Sequence, residues 1–213
     1  MVFGIILIII SYLLGSIPFG LIIGKTAGKD LRENGSGNIG STNAVRILGW
    51  KLGLLSAFCD VIKGIIVILF VYLLEYLNVW HNPFVIADDN LYALYGLAAV
   101  VGHCFPIYIK FKGGKAVATS FGVLLAIVPY SALAAIITFV ISILISGFVS
   151  LSSTFATVAA IITSYIIYGF ILSNNIFTCI IITILGLLIV IKHIPNYKRL
   201  LNGTEHNFKK KKT

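Results

Sequence analysis

The sequence predicts an all-α integral membrane protein of seven transmembrane helices, with its N-terminus outside and its C-terminus in the cytoplasm. Three observations predict it. The 213 residues are 59% hydrophobic and 11% charged, with a mean hydropathy of +1.03, more apolar surface than a soluble core can use. Apolar runs recur between polar or Pro/Gly breaks. The Lys and Arg residues cluster on alternate connections, as the positive-inside rule requires.

The runs lie at residues 3–23, 52–77, 91–109, 115–128, 130–149, 153–173 and 175–191. The first is apolar from Val2, with no basic lead and no small-x-small cleavage signal, and reads as a retained helix rather than a signal peptide. The second carries Asp60 and Lys63, the third ends on Gly102-His103-Cys104-Phe105-Pro106, and the fourth and fifth share one stretch too long for a single crossing. Splitting that stretch at Pro129 leaves a short fourth span. Ser173-Asn174-Asn175 divides the last two.

Seven spans place Lys25, Lys29, Arg32, Arg46 and Lys51, then Lys110, Lys112 and Lys115, then Lys192, Lys198, Arg199 and Lys209 to Lys212 on one face. Six would scatter them over both. The outer loop holds His81, Asp88 and Asp89 without a cation. The net charge of +9 therefore belongs to cytoplasmic loops facing anionic lipid or substrate, not to nucleic acid. Residues 1–213 read as one transmembrane domain without internal repeats, with residues 203–213 a flexible basic end. Cys59, Cys104 and Cys179 are isolated, which gives neither a disulfide framework nor a metal spacing. No metal and no cofactor is expected.

The chemistry gathers on the cytoplasmic side. Residues 36–46, Ser36-Gly37-Asn38-Ile39-Gly40-Ser41-Thr42-Asn43-Ala44-Val45-Arg46, set glycines, hydroxyls, carboxamides and a cation where hydrocarbon needs none. Bare backbone beside Arg46 suits a phosphate or carboxylate, and Thr42 or Asn43 is placed to cap the following helix. A flexible linker would not need Asn38, Asn43 and Arg46 together. Phe111-Lys112-Gly113-Gly114-Lys115 opens the fourth span with two glycine N–H groups and a point charge, but lacks the spacing of a Walker A loop. Ser150-Leu151-Ser152-Ser153 forms another short cytoplasmic loop. The tail offers His193, Asn196, Arg199 and Glu205, which can equally be a polar stop with Glu205 pairing Arg199. Asp60 and Lys63, three apart with Ser56 on their stripe, read as an intramembrane ion pair supporting the site, and His103 as a buried hydrogen-bonding residue. No His-x-x-x-x-Asp pair and no Gly-x-Ser-x-Gly elbow is present, so a reaction here leans on anion binding and positioning.

These motifs, taken in order, resemble the bacterial acyl-phosphate:glycerol-3-phosphate acyltransferases of the PlsY type. The resemblance runs nearly end to end. It covers Tyr12, Gly15-Ser16-Ile17-Pro18-Phe19-Gly20 and Gly24-Lys25, the 36–46 loop, Asp60-x-x-Lys63-Gly64 and Gly102-His103-Cys104-Phe105-Pro106. It continues through Phe111 to Lys115 with Ala118-Thr119, Ser150 with Ser153, and His193, Asn196, Arg199, Gly203 and Glu205. Pro195 and Tyr197 are small departures inside the tail motif.

The resemblance implies a seven-helix enzyme of the bacterial plasma membrane. It transfers an acyl chain from acyl phosphate to the 1-hydroxyl of glycerol 3-phosphate, giving lysophosphatidic acid and phosphate for phospholipid biosynthesis. By position it implies Ser36, Arg46, Lys115, His193 and Asn196 as catalytic. Asn38, Thr42, Asn43, Gly113, Gly114, Ser150, Ser153 and Glu205 would bind substrate. The expected partners are the two substrates and membrane lipid, with the chain a monomer. The competing readings are a carrier for an anionic metabolite, disfavoured because the cationic loops lie on one side, and a membrane phosphatase or phosphotransferase.

Overall fold

The structure, a computed structural model, describes residues 1–86, 89–172 and 175–209. Asp88, Ser173, Asn174 and Lys210 to Lys212, used above in reading loops and charge, lie outside the described residues. The chain divides into two compact units, Met1–Ile127 and Val128–Thr213.

In the first unit α1 (Val2–Gly15) breaks before Pro18 and resumes as α2 (Phe19–Thr26). Pro18 has no N–H to continue the ladder. A polar loop then leads to a short helix α3 (Ser41–Leu48) and the long α4 (Trp50–Tyr76). After α4 a two-stranded antiparallel ribbon, β1 (Val85–Ile86) with β2 (Asp89–Asn90), departs from the all-α expectation. α5 (Ala93–Cys104) ends in a 3₁₀ turn (Ile107–Ile109), and α6 (Val117–Ile127) follows the second glycine loop. The buried core of Leu7, Val67, Ile68, Val71, Tyr95 and Ala99 joins α1, α4 and α5.

The second unit opens with Pro129 in the first turn of α7 (Pro129–Ser146), where a missing N–H costs nothing, so the division of the long apolar stretch falls where the sequence put it. Gly147, at φ +73, turns the chain into α8 (Val149–Thr163), which continues as a π-helix (Ser164–Ile171). α9 (Ile176–Lys192) bends by 46° into α10 (Ile194–Leu201).

Every predicted span is thus represented by a helix, but their lengths differ. Among the described residues Val2–Thr26, Trp50–Tyr76, Pro129–Ser146 and Val149–Ile171 are long and apolar enough to cross a membrane, and the bent α9–α10 pair is a fifth. Ala93–Ile109 and Val117–Ile127 are shorter. The 11 residues of α6 rise about 16 Å, roughly half of a hydrocarbon core.

α4 and α6 approach closely because each presents a glycine to the other's backbone. A Cβ on Gly64 would collide with the Thr119 carbonyl, and one on Gly122 with the Val61 carbonyl. Gly122→Ala is therefore expected to cost about 1–3 kcal/mol, since neither backbone can yield. Gly169→Ala, whose added carbon comes no nearer than 3.6 Å to Ile176, is expected to be neutral. Melting temperatures of the two variants in detergent check the contrast.

Candidate active site

The first polar loop is organised by one side chain. Asn43, 2% exposed, directs its Nδ2 to the carbonyls of Leu31 (3.0 Å), Asn34 (3.1 Å) and Asn38 (2.9 Å). Its Oδ1 accepts the Ser36 N–H at 3.0 Å. The amide thus serves as a hub for a loop that has no secondary structure to satisfy its backbone. Asn38 turns its own carboxamide to the Gly40 N–H at 2.8 Å. Gly35 takes φ +64 directly against Asn43, where a side chain would meet both strain and collision.

Two expectations change here. The cap of α3 is the backbone of Gly40 with no side-chain cap bond, so neither Thr42 nor Asn43 caps the helix. Asn43 is committed to the loop's own backbone. Around this hub Ser36 stands exposed, while Asn38, Thr42 and Arg46 are half-buried. At the loop's outer edge the hydrogen bonds of Arg32 draw the Asp30 carboxyl down to about 2, a surface pair with Arg32 exposed and Asp30 half-buried that adds little to stability.

The second glycine loop is shaped by its neighbour rather than left open. The Gly114 N–H donates to the His103 carbonyl at 3.1 Å. A Cβ on Gly113 would strike that carbonyl, and one on Gly114 would strike His103 Nε2. Both glycines are there because the chain lies flat on His103, and Gly114's N–H is already spent on it. Lys110, Phe111 and Ala116 adopt φ +54, +61 and +59, positions that L side chains rarely take. Such strain persists only where the surroundings impose it, and it flags the turn leading to Lys115.

Beneath this turn lies the ion pair anticipated from sequence, now with its third member. Lys63 Nζ sits 2.9 Å from Asp60 Oδ1, 2.9 Å from His103 Nδ1 and 2.9 Å from the Ile17 carbonyl. Thr119 Oγ1 lies 3.3 Å from the same His103 nitrogen.

The second unit carries its own polar cluster, centred on Glu205. Oε1 accepts hydrogen bonds from Ser150 Oγ (3.0 Å) and Asn196 Nδ2 (2.7 Å), and Oε2 accepts from Arg199 Nε (2.7 Å). Burial raises the Glu205 carboxyl's pKa, but bonds from Asn196, Arg199 and Ser150 and the Arg199 charge outweigh it, so the group is held below the ordinary glutamate range. The pairing with Arg199 suggested by sequence is therefore present, within a larger network.

Ser150 and Ser153 do not lie in a loop. Both are in the first turns of α8, and Ser153 Oγ donates to the Val149 carbonyl at 2.9 Å. His193 is 2% exposed with Nδ1 2.8 Å from the Ile189 carbonyl. That acceptor fixes the proton on Nδ1 and makes Nε2 the accepting edge of the neutral ring. Pro195 falls in the first turn of α10, and Tyr197 stacks on His193 and shares a 2.6 Å bond with Thr154, so both departures in the tail are accommodated.

A family model described as glycerol-3-phosphate acyltransferase matches residues 5–203 of the chain. The chain belongs to the glycerol-3-phosphate acyltransferase family. Among its relatives, the glycerol-3-phosphate acyltransferase of Desulfotalea psychrophila is 43% identical over 95% of this chain and 97% of its own. That of Bacillus subtilis is 41% identical over 96% and 97%. A solved structure of PlsY, an integral membrane glycerol 3-phosphate acyltransferase in its glycerol 3-phosphate form, superposes with a TM-score of 0.83 at 38% identity, covering 96% of this chain and 95% of that one. Its lysophosphatidic acid form gives 0.80 at 37% identity, covering 96% and 94%. This family member is accordingly an acyltransferase and an integral membrane protein.

The depressed carboxyl gives a sign-definite expectation. Glu205 contributes stability above the ordinary glutamate pKa, near 4.3, and that contribution disappears as pH falls through its lower folded value. Glu205→Gln is expected to lower the melting temperature at neutral pH, and the gap to the parent protein should close as the pH falls below about 4. Melting curves across pH 3–7 check it.

Proposed function

We propose that the chain transfers an acyl group from acyl phosphate to the 1-hydroxyl of glycerol 3-phosphate, as a monomer with seven membrane passes, N-terminus outside and reactive loops in the cytoplasm. On this reading its 213 residues form one enzyme, and both polar clusters serve one reaction. The observation that carries it is the pair of glycine loops in the first unit, at 36–46 and 113–115, each ending on a cation. They occur in a chain related end to end to an enzyme solved in glycerol 3-phosphate and lysophosphatidic acid forms. Two phosphate-bearing substrates account for two such loops. A carrier would need cationic surface on both faces, and the connections assigned to the outside contain no Lys or Arg.

Acyl phosphate is a mixed anhydride and needs no further activation. The hydroxyl oxygen forms the ester bond to the acyl carbon as the bond from that carbon to the phosphate oxygen breaks. The hydroxyl proton passes to the departing phosphate, so no dedicated protein base is required. Lys115 and the Gly113 backbone hold the leaving phosphate. Ser36, Asn38, Thr42 and Arg46 bind the second phosphate and the oxyanion, with Asn43 keeping their loop in shape. In the second unit Ser150, Ser153 and Glu205 place Asn196, and the accepting Nε2 of His193 orients the substrate hydroxyl. Each of these contributions is positional or electrostatic, the kind worth several kcal/mol in a water-poor site.

Purified protein in detergent, given acyl phosphate, is expected to release phosphate only when glycerol 3-phosphate is also present. Release that ignores the acceptor points to a phosphatase, and no release at all to a carrier.

His193→Ala is expected to slow the chemical step roughly 10²-fold without abolishing it, because the leaving phosphate still takes the proton. Single-turnover rates measure this, and complete loss of chemistry with both substrates still bound identifies His193 as an indispensable base instead.

A further inference from the structure

We propose that Lys63 is a positioning residue for phosphate binding: one buried ammonium group holds the two glycine loops of the first unit in register with each other. This rests on reading those loops as phosphate sites.

Lys63 has three partners at 2.9 Å, one an ion-pair partner and two within hydrogen-bond reach. One is the Asp60 carboxylate, which neutralises it. The other two lie on the branches that lead to the two loops. The Ile17 carbonyl belongs to the break before α2, and Lys63 also lies 5.7 Å over the Phe19 ring, the first residue of that helix. α2 then backs the first loop directly. Gly20 lies against the Ile39 carbonyl and Gly24 against that of Lys29, so closely that a methyl group fits at neither.

The second branch is His103. Its Nδ1 lies 2.9 Å from Lys63 Nζ and 3.5 Å from Asp60 Oδ1, and its Nε2 is the atom lying against Gly114. Its carbonyl takes the Gly114 N–H. A displaced ammonium would therefore release α2 and the first loop on one side, and His103 and the Gly113-Gly114 turn on the other. The Asp60 and Lys63 side chains are 3% and 4% exposed, so neither is placed to touch a substrate.

Removing Lys63 alone would leave a buried carboxylate and is a poor test. The double variant Asp60→Leu with Lys63→Met removes both charges at similar volume, an exchange buried ion pairs commonly tolerate. In the full-length protein this variant is expected to fold, to keep kcat within a few-fold, and to raise KM for glycerol 3-phosphate and for acyl phosphate together by roughly 10- to 100-fold. Gly113→Ala, which disturbs one loop, is expected to raise KM for only one of the two. Unchanged KM values in the double variant, a shift in only one of them, or failure to fold would each overturn the proposal, the last by making the pair a stability element. Acceptor-dependent phosphate release by the parent protein is measured alongside. Its absence counts against the acyl-transfer reading, whereas its presence with unshifted KM values counts against Lys63 alone.

Discussion

A charged amine sealed inside a membrane helix dictates much of what surrounds it. Taking an ammonium and a carboxylate out of water costs several kcal/mol per ion, which only good geometry recovers. Lys63 meets that demand with partners from three places: its own helix one turn back, the α1–α2 break and the end of α5. The one ammonium group therefore touches three segments at once. The Pro18 break acquires a purpose in this light, because it interrupts the helix where the Ile17 carbonyl is needed. The glycines at the α4–α6 contact belong to the same requirement, since they bring Thr119 of α6 beside His103.

The second unit solves a related problem with the opposite charge. There a carboxylate, Glu205, gathers a hydroxyl, an amide and a guanidinium from α8 and α10. Arg199 remains partly exposed while Glu205 is mostly covered, so this cluster sits nearer water and its charge can respond to pH. The cation-centred cluster is sealed from solvent. One arrangement is suited to holding a backbone in place, the other to presenting side chains to water.

Much of this was legible in the sequence. Apolar runs located every helix of the spans, and Pro129 located a boundary, because a proline in the first helical turn reads the same way in one dimension as in three. The spacing of Asp60 and Lys63 announced a pair, since i,i+3 neighbours meet on any helix. His103 as their third partner was not legible, lying 40 residues beyond Lys63. The serines at 150–153 looked like a loop because they are polar. In the structure Ser152 and Ser153 return their hydroxyls to the carbonyls of Phe148 and Val149, which lets a helix carry them. Asn43 and Gly114 expose a deeper ambiguity. A group that binds an anion and a group that builds the loop around one need the same amides and N–H groups, and only coordinates tell which bonds are already taken.

The strap that closes the second unit bears on how the protein is made. The Phe208 N–H reaches the Gly147 carbonyl, Asn207 the Ser146 carbonyl and Lys209 the Ile145 carbonyl, finishing the end of α7 with residues far along the chain. Ser150 likewise waits for Glu205, 55 residues later. During translation, then, α7 and α8 leave the ribosome with their connecting turn unfinished and the polar cluster lacking its carboxylate. Synthesis itself keeps the second unit incomplete until residues 205–209 have been delivered to the membrane.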